Sequence, residues 1–345
     1  MIISIQSKVV DGPWGGGNLF VQNLVNYLTS NGLKVLNNLY NPKIDLILMT
    51  DPLKQSISTN FSFKQISYYK KYINPNVKIV HRVNECDERK NTNNVNKEII
   101  HCNSIADSTI FVSNWLMNLF ENIGLHNNNK VINSGSNRDI FNNLNKPNWD
   151  GFSNIKIVTH HWGTNESKGF EIYKYLDELI YNKKFQNIEF TYIGNLPKNI
   201  SLKKTTHIEP IQGKTLAQEL KKHHIYLTAS INEPSGNHHI EGAQCGLPLL
   251  FINSGGIVEY CKNYGIQFLG VEDFETSLNE LIRNYDIYFE KVADYPNDSN
   301  QMCFEYLNEF NSVLDSEKLT NHKNNIFQYI YKLIYALNRL KSELI

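Results

Sequence analysis

Short apolar runs recur along the chain, each closed by polar or Gly/Asn punctuation and followed by a stretch of helical spacing. The first half carries IISI (2–5), DLILMT (45–50), VKIVHRV (77–83) and STIFVS (108–113). After residue 150 the rhythm restarts with IKIVTHH (155–161), IEFTYIG (188–194), IYLTAS (225–230) and PLLFI (248–252). Strand–helix alternation in two series predicts an α/β chain of two doubly wound domains with parallel sheets. A helix is expected from about Asn18 to Thr29, and NNLNKPNWDG (142–151) reads as the linker.

Near the C-terminus, Ile326, Phe327, Ile330, Leu333, Ile334, Leu337 and Leu344 follow the i, i+3, i+4, i+7 pattern of an amphipathic helix. Two readings stand: a terminal helix docked on the protein, which is the favoured one, or a membrane-surface helix carrying Tyr and basic residues.

Composition narrows the classes. The 345 residues, 41% hydrophobic and 20% charged, suffice for about two domains with a core each. Lys+Arg and Asp+Glu are both 34, so no broad field favours nucleic acid. The five cysteines form no CxxC pair, which fits a reducing, cytoplasmic location rather than a disulfide or zinc framework. MIISIQSKVV is too short and polar for a signal peptide, and no run of about 18 apolar residues spans a membrane.

Several motifs invite chemistry. PWGGGNLF (13–20) follows the first strand and would expose backbone N–H groups at a helix N-terminus. A dinucleotide fingerprint starting at Gly15 would need glycine at Phe20, so nicotinamide chemistry is not expected. QGKTL (212–216) is no phosphate loop, because Ile208 stands where that motif needs glycine. In THHWGTNESKGF, Lys168 opens a helix after a strand and can meet a diphosphate as a point charge. His160 and His161 are adjacent in a strand and point to opposite faces, a poor metal-ligand pair.

EPSGNHHIEGAQCGLP (233–248) is the richest stretch. Glu233 falls at the C-terminal edge of a strand, where open α/β sheets bind ligands. Ser235, Gly236 and Asn237 supply cap chemistry and room for backbone approach. The helix from about His238 places Glu241 one turn inside, where a carboxylate can accept from two ribose hydroxyls, and it stops at Gly246. NSGGIVEY (253–260) repeats the design one strand later, with an early Glu259. ECDERK (85–90), a charged loop of the first half, could line a substrate cleft there but reads more simply as a solvated turn.

With both glutamates in this setting, the sequence resembles family 4 of the retaining glycosyltransferases, whose E-x7-E signature falls on Glu233 and Glu241. GGGN, ADSTIFVSNWL from Ala106, VINSGSNRDIF from Val131, SKGF and the YIGN loop around Gly194 match further family segments over most of the chain. The resemblance implies a GT-B fold, two facing Rossmann-like domains with a cleft between them. It places an acceptor domain at 1–148, a donor domain at 149–324, and a terminal helix, about 325–345, crossing back onto the first.

The implied donor is a UDP- or GDP-linked sugar, with no resident cofactor or metal; the chain also lacks an Asp-x-Asp motif. Glu241 would hold the ribose and Glu233 the sugar hydroxyls. Backbone N–H groups of Gly236, Asn237 and His238 would meet sugar or phosphates. Lys168 would stabilise the diphosphate, with Gly16 and Gly17 closing over it from the acceptor domain.

Two departures from the family stand out. Gly163 occupies the position of its phosphate-binding arginine, so that contact is missing or a residue such as Arg138 replaces it. The family's active-site histidine of the first domain matches either His81 or Asn84 in VKIVHRVNE. The acceptor is expected to be a hydroxyl of a glycan, a lipid-linked sugar or a small molecule. A peripheral membrane contact is left open. The rival readings are a nucleotide-sugar epimerase or sugar phosphorylase of the same architecture, and a degenerate sugar-binding scaffold subunit.

Overall fold

The computed structural model describes residues 1–10, 15–53, 56–316, 333 and 335–337. Its first sheet contains β1 (Ile2–Ile5), β2 (Lys34–Leu36), β3 (Leu46–Met49), β4 (Lys78–Val83), β5 (Ser108–Phe111) and β6 (Asn129–Val131). Around it lie α1 (Gly16–Ser30), α2 (Phe63–Tyr68), α3 (Asp87–Lys90), α4 (Val95–Asn103) and α5 (Asn114–Asn122). The second sheet contains β7 (Ile155–His161), β8 (Ile188–Gly194), β9 (Thr206–Ile208), β10 (Ile225–Thr228), β11 (Leu249–Ile252) and β12 (Gly265–Phe268). Its helices are α6 (Phe170–Tyr181), α7 (Gly213–Leu220), α8 (Asn237–Gln244), α9 (Ile257–Cys261), α10 (Val271–Arg283) and α11 (Tyr285–Ala293), and α12 (Ser299–Asp315) follows.

All eight apolar runs are strands, and all strand pairs within the two sheets are parallel. The reason lies in their composition. β3, β5, β10 and β11 are buried at every position, which suits a sheet covered by helices on both faces. The strand orders are β2-β1-β3-β4-β5-β6 and β12-β11-β10-β7-β8-β9. In the second sheet the chain direction of winding reverses between β7 and β10. The loops leaving those two strands therefore face one crevice, the place where such sheets take ligands.

The return to the first sheet begins upstream of the expected helix at 325–345. Residues 299–315, expected in the second domain, form α12, and Met302, Cys303, Tyr306, Phe310 and Val313 join the core of Ile3, Phe20, Leu24 and Val80. Their helical spacing drives this: one apolar stripe faces α1, with Tyr306 and Phe20 ring centroids 5.1 Å apart. Asp298 caps the helix by accepting from Asn300 N at 2.7 Å. Most of the expected terminal helix lies outside the described residues. Within it, Tyr335 packs beside Tyr69, centroids 6.2 Å apart, while Leu333 and Leu337 are exposed. Among the described residues no helix is long and apolar enough to cross a membrane.

Candidate active site

The C-terminal edges of the two sheets face each other across a cleft. Lys168 ends a short 3-10 turn after β7, and Glu233 sits in the loop after β10. The two loops are tied by Ile231 N donating to Ser167 O at 2.7 Å. A side chain at Gly169 would collide with Ala229 O at 2.2 Å, so glycine after the lysine is what lets them abut. As a result Lys168 Nζ donates to Glu233 Oε2 at 2.6 Å. The SGG turn of 254–256 does not build a second site. It braces the first, with Gly256 N donating to Glu233 O at 2.9 Å.

A residue of the first domain completes this cluster. Arg89 Nε donates to Glu233 Oε1 at 3.1 Å, and its Nη1 donates to Glu85 Oε2 at 2.7 Å. The ECDERK segment is thus part of the cleft, a correction to its reading as a solvated turn. The Asp87 carboxylate shapes it by accepting from Val95 N and Asn96 N at 2.9 and 3.0 Å, which pins α3 to the start of α4. Burial alone would raise the Glu233 pKa, but the charges of Lys168 and Arg89 outweigh it and hold the carboxyl at about 2. Glu233 is ionised and acts as an acceptor.

Glu241 lies one turn into α8, 3% exposed, with Oε2 accepting from His160 Nε2 at 2.9 Å. His160 Nδ1 in turn meets the Tyr226 hydroxyl at 3.0 Å, so strands β7 and β10 orient the carboxylate. Between the two glutamates, Gly236 caps α8 with φ +80°, a conformation that favours glycine. No side chain caps the helix and its first turn carries no acidic residue, which leaves its N–H groups to the cleft. Ser235 Oγ accepts from Ser134 Oγ at 3.2 Å across the domain seam. The His238 ring nitrogen Nε2 is engaged with Thr228 Oγ1 at 2.8 Å, and His238 lines the middle compartment. Opposite, Gly16 approaches Asn237 so closely that a Cβ would stand 2.9 Å from Asn237 Cγ.

The cleft has three connected compartments. One of about 460 Å³ is lined by Trp162, Gln212, Gly213, Asn237 and Glu241. The middle one, about 510 Å³, shares Trp162, Asn237 and Glu241 with it and adds Gly163, Lys168, Glu233 and Gly236. The third, about 700 Å³, lies on the first domain between Thr50, Asp51, Ser58, Asn84, Val95 and Ile99. Gly16, Gly17, Arg82, Asn84 and Arg89 line both the second and the third.

Other expected residues fall elsewhere. Gly194 does not line these compartments. A Cβ there would lie 1.9 Å from His161 O, so its glycine serves strand packing. His81 is buried in β4 and lines the third compartment, its Nδ1 accepting from Asn103 Nδ2 at 2.9 Å, and desolvation lowers its pKa to about 3. Asn84, just past the strand, lines the cleft. Arg138 does not replace the missing arginine: it pairs with Asp298 at 3.3 Å and donates to Tyr295 O. Glu259 caps α5 across the domain seam, accepting from Asn114 N at 2.8 Å and Trp115 N at 2.5 Å. Sequence reasoning offered ECDERK for the cleft without singling out Arg89, and it passed over Arg82, which reads as an ordinary residue of strand VKIVHRV.

No family model matches the chain, and the curated proteins hold no match to it. Solved structures do match. Sucrose-phosphate synthase from Thermosynechococcus elongatus superposes with a TM-score of 0.65 at 14% identity, covering 92% of this chain and 99% of that one. Anabaena HepE in complex with UDP and glucose gives 0.63 at 13% identity, covering 90% and 99%. A glycosyltransferase from Rickettsia africae gives 0.61 at 16% identity, covering 92% and 99%.

The fold is GT-B. Identity this low speaks for the architecture, two facing parallel-sheet domains, and leaves the activity to be argued from the site.

Proposed function

We propose that the protein is a retaining glycosyltransferase that moves a sugar from a UDP- or GDP-linked donor to a hydroxyl acceptor, without a metal. The observation that carries the reading is the juxtaposition of Lys168, the free N-terminus of α8 and the buried Glu241 along one cleft. A donor laid along it would place the nucleoside by Trp162 and Gln212, the ribose at Glu241, the diphosphate at Lys168 and the sugar at Glu233. The compartment next to Asn84 would then take the acceptor. The three compartments, each in the usual range for ligand sites, fit a donor and an acceptor side by side.

In this chemistry the leaving diphosphate departs as the acceptor oxygen attacks the same face of the sugar, and a leaving-group oxygen takes the acceptor proton. The C–O bond to phosphate breaks and one to the acceptor forms. Negative charge grows on the diphosphate, where Lys168 Nζ and the α8 N–H groups are already fixed in place. Glu233 is ionised and salt-bridged, so it orients sugar hydroxyls rather than donating a proton. The test is transfer from a panel of nucleotide-sugars to simple glycoside acceptors, with the product anomer read by NMR and with chelator present. An inverted anomer, or activity lost in chelator and restored by a divalent cation, would refute the retaining, metal-free mechanism.

A further inference from the structure

Arg82 is the fifth residue of β4, and it leaves the sheet on the same face as Val80, toward α1 and α12. It is only 6% exposed. Its guanidinium carbon lies 4.0 Å from the centre of the Phe20 ring. The phenol of Tyr306 lies beside it; burial drives that phenol's pKa up, and the Arg82 charge and a side-chain hydrogen bond with Arg82 oppose the rise. Neither the Phe20 ring nor this phenol carries a charge to match the guanidinium. Among the described residues Arg82 Nε has no hydrogen-bond partner. The arginine–carboxylate pairs among the described residues are made by Arg89 and Arg138, none by Arg82.

A guanidinium does not shed its proton when buried, and an uncompensated buried charge is costly. The other cations of the cleft are matched, since Lys168 and Arg89 share Glu233 and Arg89 also holds Glu85. Arg82 is not, and it lines the cleft together with Gly15, Gly16 and Gly17. There α1 begins, 15 residues long, with no side-chain cap at Gly15 and no acidic residue in its first turn. An unpaired cation and free N–H groups thus converge on one space, facing Lys168 from the other domain. Gly163, where the resembling family carries arginine, offers no charge on that far side.

We propose that Arg82 binds the diphosphate of the donor from the first domain, beside the α1 N-terminus whose Gly16 and Gly17 the family resemblance already places over that group. Arg82 thereby supplies the cation that the second domain lacks at Gly163. The inference rests on the nucleotide-sugar reading above. A guanidinium can donate to two phosphate oxygens at once, which suits a leaving group gaining charge. The clamp is completed only with both domains in place, half of it on each.

Calorimetric titration of UDP, GDP and ADP, each beside its nucleoside, into the full chain and into Arg82→Met and Arg82→Lys tests this. The wild type should bind one nucleoside diphosphate more tightly than its nucleoside. Arg82→Met should weaken that diphosphate about 10- to 100-fold, the worth of a hydrogen bond to a charged group, and leave the nucleoside unchanged. Arg82→Lys should lose less, and it carries the test should the Met variant not fold. The ligand-free Met variant should melt no lower than the wild type, because an unpaired buried charge is gone; a structural arginine would lower it. Unchanged diphosphate affinity in both variants overturns the proposal while leaving the donor site standing. So does a variant that keeps diphosphate affinity but raises the acceptor KM, which would assign Arg82 to an anionic acceptor. A wild type that binds no nucleoside diphosphate sinks both readings together.

Discussion

Arg89 on the first domain and Glu233 on the second form an ion pair across the cleft, Nε to Oε1 at 3.1 Å, while Lys168 holds the other carboxylate oxygen at 2.6 Å. One acid thus joins the two halves of the molecule at the point proposed for the chemistry. Its folded pKa, about 2 against an ordinary 4.5, has a consequence for stability. A depressed carboxyl contributes stability that is present above its unfolded pKa and is lost as pH falls through the folded one. Glu233→Gln should therefore melt below the wild type near neutral pH, by the equivalent of about 3 kcal/mol for a broken buried pair. The gap should narrow as pH drops from 4.5 toward 2. Thermal melts of both proteins across that window check it, and a gap independent of pH would contradict the charge account.

Lys168 faces the position assigned to the leaving diphosphate. Lys168→Ala should lower turnover by about 10²–10³, the usual effect of losing one fixed donor to developing charge. Steady-state kinetics read this directly. Wild-type turnover in the variant would remove Lys168 from the mechanism.

In the proposed donor pose Glu241 holds the ribose hydroxyls, and His160 Nε2 already fixes one of its oxygens. Glu241→Gln should weaken nucleoside and nucleoside diphosphate alike, by about 10-fold or more. The comparison separates it from the phosphate ligands, which should affect only the diphosphate. Equal affinities of variant and wild type for the nucleoside would reject the ribose role.

Gly16 tests the approach of the domains. It is the first residue of α1, a position that tolerates alanine, yet a Cβ there would meet Asn237 Cγ at 2.9 Å. Gly16→Ala should keep or raise the melting temperature and still depress turnover by holding the cleft open. Asn237→Ala in the same chain should restore part of that activity, because the colliding atoms are gone. A double variant no better than the single would show that the glycine matters for another reason.

Much of this was legible beforehand, and the reasons are local. Eight strands announced themselves because parallel strands buried on both faces must be apolar throughout. Short edge strands such as Lys34–Leu36 and Asn129–Val131 did not, since three half-exposed residues leave little pattern. Glu233, Lys168 and Glu241 stood out because glycines and caps around them mark sheet-edge turns. Arg89 and Arg82 carry no such punctuation, and only the facing of two domains shows what they meet. Glu259 misled for the opposite reason: a Gly-Gly turn followed by an early glutamate also describes a seam brace that caps a neighbouring helix. The return at α12 is hard to read in the sequence because the stripe from Met302 to Val313 is interrupted by polar residues, whereas the later 326–344 pattern is cleaner.

Whether the cleft binds a nucleotide-sugar through Glu241 and the diphosphate cations is decided by a thermal-shift panel of UDP, GDP, ADP and CDP, with their sugar conjugates. A ligand at about 100 times its dissociation constant adds roughly 2.7 kcal/mol of stability. The prediction is a clear rise in melting temperature with one nucleotide family, abolished in Glu241→Ala. A folded wild type that shows no rise with any of them at millimolar concentration would contradict it.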